Sequence, residues 1–108
     1  MRLDIELKNL DSTPSIKEYI EERILALDQY TKRWEEEGAV SAKFELARTT
    51  NHHHKGRVYY AEINLTMGGK FLRAEDEGDD VHAVIDKVKD RIKEEILKYK
   101  GKKENVRS

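Results

Sequence analysis

Three consecutive histidines, His52, His53 and His54, are the densest group of potential metal ligands in this chain of 108 residues. Neutral imidazole is a common ligand of zinc and related metals. Neighbouring residues in extended backbone point to opposite sides, so at most two of the three could bind one ion. The chain has no cysteine and one other histidine, His82, whereas structural zinc needs four ligands from rigid elements. We therefore predict no bound metal or other cofactor. The three histidines are expected to lie in a loop that gains positive charge as the pH falls through about 6.5.

The sequence contains no arrangement of residues typical of catalysis. It lacks a phosphate-binding glycine loop, a nucleophile elbow and a His-Glu-x-x-His zinc motif. The acidic run EDEGDD at residues 75–80 lacks the fixed ligand spacing and distant glutamate of an EF-hand. We interpret it as a loop in which Asp79 or Asp80 caps a helix. The chain is accordingly predicted not to be an enzyme and to take no small-molecule substrate.

Positive charge is concentrated near the C-terminal end. The net charge is −1, but residues 1–86 contain 12 Lys/Arg against 18 Asp/Glu, whereas residues 87–108 contain 9 against 4. The balance thus changes from −6 to +5 along the chain. Such a basic segment can bind a polyanion, and a solvated helix with a basic end explains it equally well.

Four segments alternate between apolar and polar residues, which predicts four strands with one buried face each. Gly68 and Gly69 are expected to join the last two strands as a two-residue hairpin, because such turns need positive φ. The polar face of the sheet would carry many acids and only two aromatics, Tyr60 and Phe71, so phosphates should avoid it. The predicted strands cover residues 2–8, 40–46, 59–67 and 70–75.

Apolar residues at helical spacing predict two helices. Ser12 or Thr13 is expected to cap the first, with Pro14 in its first turn and Gly38 at its end. The second begins near Val81. A helix between the first two strands favours their parallel pairing. The prediction is an α+β fold of two layers in the order β-α-β-β-β-α, with a four-stranded sheet and two helices packed on one face.

One domain is predicted over residues 1–100, followed by a short basic tail at 101–108. The first ten residues alternate and carry charges, unlike a signal peptide, and no run approaches a membrane span. We therefore expect a cytoplasmic protein without a membrane partner.

Basic residues on the helices are the candidates for phosphate contact. Arg23 falls in the apolar sector of the first helix, where it either pairs with a carboxylate or reaches a phosphate together with Arg91 or Lys98. At about 100° per residue, the last helix places basic residues on both shoulders of its apolar stripe, which ordinary snorkelling explains equally well. One shoulder carries Lys87, Arg91 and Lys98, and the other carries Lys89, Lys93 and Lys100.

Two long segments, YYAEINLTMGGKFLRAEDEGDDVHAVIDKVKDRIKEEILKYK and DSTPSIKEYIEERILALDQY, resemble the ribosome hibernation-promoting factor (protein Y) family. The resemblance covers about residues 1–100. It implies a factor that binds the rRNA of the small ribosomal subunit at the mRNA and tRNA channel and inhibits translation under stress. It also implies a short form without the C-terminal dimerisation domain of long relatives, expected to be a monomer off the ribosome.

The resemblance also implies which residues contact RNA. Ala26 stands where relatives commonly have Lys, and Glu94 where some have Arg. Lys55 and Arg57, beside the histidines, are candidates for a secondary contact, as are Lys89, Lys93 and Lys100. The expected RNA-binding set is Arg23, Lys32, Arg33, Lys87, Arg91 and Lys98.

The resemblance also implies an alternative function, a protein-binding regulatory module that modulates an alternative sigma factor. The acidic face of the predicted sheet would then be its interaction surface.

Overall fold

The computed structural model describes residues 1–11, 13–36, 40–49 and 58–106, the last four of them as backbone. The predicted α+β order is confirmed, with the first helix divided in two. The histidines 52–54 lie outside the described residues, as do Lys55, Arg57, Ser12 and Gly38. The elements are β1 (Arg2–Lys8), α1 (Pro14–Leu25), α2 (Asp28–Glu35), β2 (Val40–Arg48), β3 (Tyr59–Met67), β4 (Lys70–Gly78) and α3 (Val81–Val106).

The four strands form one sheet in the order β1-β2-β3-β4. β1 and β2 pair in parallel, and the crossover through α1 and α2 connects them, as predicted. The β2–β3 and β3–β4 pairs are antiparallel. Gly68 and Gly69 form the predicted hairpin turn, with φ of 55° and 82°.

A single apolar cluster lies between the sheet and the helices. The strands contribute alternate side chains, such as Phe44, Ile63 and Leu65, all fully buried. α1 contributes Ile20 and Ile24, which are also inaccessible to solvent. Each such side chain stabilises the fold by roughly 1.5–3 kcal/mol relative to an exposed one. α3 adds five buried residues at helical spacing, Val84, Ile85, Val88, Ile92 and Ile96.

Side-chain caps fix where two helices begin. The Ile16 N–H donates to Oγ1 of Thr13 at 3.3 Å, so Thr13 caps α1. Oδ1 of Asp80 accepts from the N–H groups of His82 (2.9 Å) and Ala83 (3.2 Å). Asp80 is thus the cap of α3, as the acidic run suggested, and its charge also favours the positive end of the helix dipole.

The first helix is divided at Ala26 and Leu27, whereas the sequence predicted one continuous helix. The N–H of Leu27 donates to the Ile24 carbonyl, and the N–H of Tyr30 donates to that of Leu27. These bonds span three residues, as in a 3₁₀ turn, and the ψ angles of −21° and −12° fit that tighter winding. Leu27 is 2% exposed, so the turn keeps its side chain in the core while α2 continues.

Three elements extend beyond their predicted ends, and the shortest extension is that of β2, which continues to Arg48. β4 continues to Gly78, so most of the acidic run is strand instead of loop, because β3 pairs with it as far as Gly78. This pairing outweighs the low strand propensity of Asp, Glu and Gly. α3 continues to Val106 and includes residues 101–106, the start of the predicted basic tail.

Among the described residues, no helix combines the length and the apolar run that crossing a membrane requires.

Gly68→Ala should destabilise the domain more than Gly69→Ala. Both glycines have positive φ, where a side chain costs about 1–2 kcal/mol. A Cβ at Gly68 would also overlap the ring of Trp34, whereas one at Gly69 meets nothing within 4 Å. Displacing a packed ring costs about 1–3 kcal/mol more. Urea unfolding of both variants checks this, and equal losses would show that Trp34 does not constrain the turn.

Candidate nucleic-acid interface

The rotation of α3 about its axis determines which way its charged residues face. Its buried stripe rests on the sheet, and two flanks border that stripe. The seam flank faces α1 and α2, as contacts of Asp86 and Lys93 with Tyr19 and Tyr30 demonstrate. It consists of His82, Asp86, Lys89, Lys93 and Lys100, which lie within about 60° of one another around the axis. The strand flank faces β4 and consists of Lys87, Arg91 and Lys98.

Arg23 lies in the seam between α1 and α3 and is held from two sides. Its guanidinium stacks over the Tyr19 ring, 4.4 Å from the centroid. Its Nε donates to Oδ1 of Asp86 at 3.2 Å, and Nη1 donates to Glu22 at 3.1 Å. The predicted carboxylate partner is therefore present, yet the Arg23 side chain remains 35% exposed, so the seam position does not remove it from solvent.

Tyr19 completes this arrangement. Its hydroxyl donates to both carboxylate oxygens of Asp86, at 2.9 and 2.8 Å. Burial and the hydrogen bond to Asp86 raise the pKa of Tyr19, so the hydroxyl stays a donor across the physiological range. The His82 and Tyr19 rings pack nearly perpendicular to one another, with centroids 4.5 Å apart. Together with Arg23, the side chains of Tyr19, Asp86 and His82 form one continuous cluster across the seam.

The lysines of the seam flank continue the positive surface toward the C-terminal end of α3. The Lys93 ammonium lies 5.2 Å from the centroid of the Tyr30 ring, a cation–π contact that restrains the long side chain. Lys89 pairs with Asp90 at 2.7 Å. Lys100 is half-buried and lies about two turns beyond Lys93 on the same side of the helix. Arg23, Lys93 and Lys100 therefore lie on the same side of the domain.

The cations of α2 are exposed. Arg33 lies 6.0 Å from the Trp34 ring centroid. Trp34 in turn packs against Tyr99 with centroids 5.7 Å apart, and the Lys70 ammonium is 5.8 Å from the Tyr99 ring. Lys32 is exposed on the same helix without an aromatic partner among the described contacts. The hairpin end of the domain thus carries further cations beside aromatic rings.

The strand flank has a different electrostatic setting. Arg91 donates to the Glu75 carbonyl at 3.3 Å and lies 3.7 Å from Asp76, so it is tied to the edge of β4. Lys98 lies 3.9 Å from Glu95. Beside them is a groove of about 500 Å³ whose charged lining is Arg73, Glu75, Arg91, Glu94 and Glu95. Three carboxylates against two guanidiniums make this groove unfavourable for a phosphate.

The structure does not bring Arg23 together with Arg91 or Lys98. Asp86, the partner of Arg23, and Arg91 are separated by about 140° around α3, and they contact different elements. Of the two positions where the resemblance implies a basic residue, Ala26 is exposed at the end of α1. Glu94 adds its charge to the groove on the strand flank. Neither residue adds positive charge to the helices, and Glu94 adds a carboxylate where carboxylates already outnumber cations.

The uncovered face of the sheet carries a row of four glutamates, one from each strand. In the strand register Glu6 lies opposite Glu45, Glu45 opposite Glu62, and Glu62 opposite Glu75. Like charges placed directly opposite one another destabilise a sheet, so this glutamate row needs compensation. The sequence predicts an acidic face, but the alignment of the four carboxylates depends on the strand register.

Three cations compensate the glutamate row. Lys8 lies 2.7 Å from Glu45, and Lys43 lies 3.3 Å from Glu6. Arg73 lies 2.6 Å from Glu62 and 2.9 Å from Glu75. The Arg73 hydrogen bond lowers the pKa of Glu62, and Glu45 raises the pKa of Lys8.

The Tyr60 hydroxyl also donates to Glu62 at 3.0 Å and to Glu75 at 2.5 Å. Burial, followed by these bonds, raises its pKa. Phe71 remains 59% exposed beyond the row. This face is acidic and internally paired, as expected of a surface that phosphates avoid.

Among the described residues, no group of three or more potential metal ligands is close enough to hold an ion.

Comparison with known proteins gives consistent matches. The sequence profile of the family described as sigma 54 modulation protein / S30EA ribosomal protein matches residues 3–104. A ribosome-associated factor Y of Haemophilus influenzae is 30% identical over 108 residues, which are 100% of this chain and 91% of that protein. A ribosome hibernation promotion factor of Deinococcus radiodurans is 29% identical over 93 residues, 86% of this chain and 46% of that protein. The chain thus spans about half the length of that factor.

Solved structures agree with the fold. The N-terminal domain of protein Y from Thermus thermophilus superposes with a TM-score of 0.71 at 28% sequence identity. The match covers 92% of this chain and 99% of that domain.

Arg73→Gln should raise the pKa of Glu62, because Arg73 is the main cause of its lowering. A carboxyl whose pKa is lowered by folding stabilises the fold above its unfolded pKa, and this stabilisation is lost as pH falls through the folded value. As the pH falls from about 5 through the folded pKa of Glu62, the free energy of unfolding should therefore decrease less in the variant than in the wild type. NMR titration of the Glu62 carboxyl measures the shift directly. Lys70→Gln, on the same strand but beside Tyr99, is the control that should leave this pKa unchanged.

Proposed function

Because the chain belongs to the sigma 54 modulation protein / S30EA ribosomal protein family, we propose that it is a ribosome hibernation factor that binds small-subunit rRNA. The names of its relatives, ribosome hibernation promotion factor and ribosome-associated factor Y, support a ribosomal role that involves no catalysis. The proposed position is the mRNA and tRNA channel. There the folded domain inhibits translation during stress by excluding both ligands from the space it fills.

The observation that carries the proposal is the row of restrained cations on the helical layer. The charged group of Arg23 lies over the Tyr19 ring, that of Lys93 over the Tyr30 ring and that of Arg33 over the Trp34 ring. Each aromatic ring limits the conformations of a long side chain before any ligand arrives. Because ordering such side chains on binding costs about 0.5–1.5 kcal/mol each, cations that are already ordered bind phosphates at a smaller entropic cost.

Of the RNA-binding set that the sequence suggested, Arg23 lies at the seam, where it is joined by Lys93 and Lys100, which the sequence indicated only as secondary candidates. Arg23, Lys93 and Lys100 would neutralise backbone phosphates and release counterions, which makes binding salt-dependent. Lys32 and Arg33 extend this surface on α2. Arg91 lines the acidic groove against β4, and Lys98 lies 3.9 Å from Glu95 of that groove. Their contribution, and that of Lys87 on the same flank of α3, should be smaller. The net charge of −1 is compatible with binding because the negative charge is concentrated elsewhere, including on the glutamate row.

The alternative, a regulatory module for a sigma factor, would use the sheet face. The description of the family includes sigma 54 modulation. On this face, however, Lys8, Lys43 and Arg73 already pair with the glutamate row, which leaves less charge for a basic partner. The described geometry therefore favours the ribosomal proposal.

Neutralising the cations at the seam, one on α1 and two on the seam flank of α3, should weaken binding to small ribosomal subunits more than neutralising the strand flank. The seam variant carries Arg23→Gln, Lys93→Gln and Lys100→Gln. We expect it to lose more than about tenfold in affinity at about 0.1 M salt, with a salt slope smaller by about two to three. Co-sedimentation with purified subunits over a salt series measures both quantities.

The matched control carries Lys87→Gln, Arg91→Gln and Lys98→Gln, which is the same change of one arginine and two lysines. It should lose less affinity, and its slope should change less. An equal loss in the two variants would assign binding to the total charge of α3 instead of the seam. Wild-type protein that stays in the supernatant at low salt, or that retains a non-ribosomal partner after ribonuclease treatment, would favour the alternative.

A further inference from the structure

We propose that Asp86 and Tyr19 are positioning residues that hold Arg23 in the orientation in which it binds a phosphate of the RNA. This inference rests on the proposed function, because it assumes that Arg23 contacts small-subunit rRNA. It assigns a role to two residues that the sequence analysis did not include among the RNA-binding candidates. Asp86 carries negative charge, so simple electrostatics predicts that it opposes RNA binding.

Asp86 fixes one edge of the guanidinium, whereas the group at the other edge is Glu22, whose side chain is exposed. Asp86 takes the Nε donor of Arg23 at 3.2 Å. Stacking on the Tyr19 ring restricts the plane of the guanidinium. The remaining donors, on Nη1 and Nη2, form the planar fork that matches a phosphate with two hydrogen bonds. A free arginine would sample many rotamers, whereas this one is restrained before RNA approaches.

Asp86 is itself held in place, so it can position a partner. The Tyr19 hydroxyl donates to both of its carboxylate oxygens. The two residues come from α1 and α3, so the contact also fixes the relative position of the two helices at the seam.

Glu22 is the group that a phosphate would displace. It accepts from Nη1 of Arg23 at 3.1 Å, and its side chain is 74% exposed. An exposed ion pair of this kind is weak, so exchange for a phosphate costs little. In contrast, Asp86 is held by Tyr19 as well as by Arg23 and would remain in place during binding.

The proposal and simple electrostatics predict opposite effects of Asp86→Asn. Removing a negative charge beside the cations should strengthen RNA binding if charge alone decides. If Asp86 positions Arg23, the variant should bind small subunits about threefold to tenfold more weakly at about 0.1 M salt. Asp90→Asn removes the same charge one turn further along α3, where Asp90 contacts Lys89. This control should bind as well as wild type or better.

Tyr19→Phe gives a second test without any change in charge. It keeps the ring under Arg23 and removes the hydroxyl that holds Asp86, so a smaller loss of affinity is expected. Circular dichroism and thermal unfolding establish that each variant is folded before binding is compared.

Repeating both substitutions in an Arg23→Gln background separates positioning from a structural role. If Asp86 and Tyr19 act through Arg23, neither substitution should weaken binding further once Arg23 is gone. Equal losses in the two backgrounds would mean that they act through the fold, which would overturn the proposal. It would also be overturned if Asp86→Asn bound as tightly as wild type while Arg23→Gln bound more weakly, and the proposed function would then stand. Wild-type protein that fails to bind small subunits would overturn both.

Discussion

The packing of five apolar residues of α3 against the sheet determines the rest of the surface. These five residues must face the core, so the helix cannot rotate about its axis. The direction in which each charged residue of the helix points is therefore fixed. One flank meets the aromatic side chains of α1 and α2, and the other meets the acidic edge of β4. Residues of the same type and nearly the same spacing therefore have different surroundings, and this difference separates the cation that contacts an aromatic ring, Lys93, from the one tied to the edge of β4, Arg91.

Aromatic residues of the helices pack against the hydrophobic core and also contact cations at the surface. Tyr19 and Tyr30 are half-buried against the apolar cluster, and their outer faces carry Arg23 and Lys93. Trp34 also limits which residue can occupy the hairpin turn at Gly68. The same rings thus stabilise the domain and restrain the cations at its surface. A substitution of one of these rings would change both properties together, which makes them poor probes of binding alone.

Most of the fold was predictable from periodicity, because alternating and helical patterns reflect burial on one face. The strands, the hairpin, the Asp80 cap and the parallel crossover follow from local residue choices. The 3₁₀ turn at Leu27 and the end of β4 at Gly78 did not, because both depend on tertiary packing and strand pairing.

The candidate site was predicted in part. A helical rotation of about 100° per residue places Arg23 in the apolar sector of α1 and the basic residues on two shoulders of α3. Which shoulder meets α1 depends on how the helices pack. Tyr19 and Arg23 are four residues apart on one helix, a spacing that could have suggested their contact. Asp86 could not be found in this way, since it lies 67 residues from Tyr19. Glu62 and Glu75 are symmetric about the glycine turn, so half of the glutamate row was also available from sequence.

The glutamate row has a consequence for how the domain approaches a partner. The row sets four carboxylates against three cations on the sheet face, whereas residues 87–102 on the helical layer carry seven Lys/Arg against three Asp/Glu. The molecule therefore has a dipole although its net charge is only −1. In the field of a polyanion such a dipole experiences a torque, which turns the helical layer toward the ligand before contact. The distance over which this torque acts is set by the Debye length, about 8 Å at physiological salt. Productive encounters would then depend on ionic strength through orientation as well as through attraction.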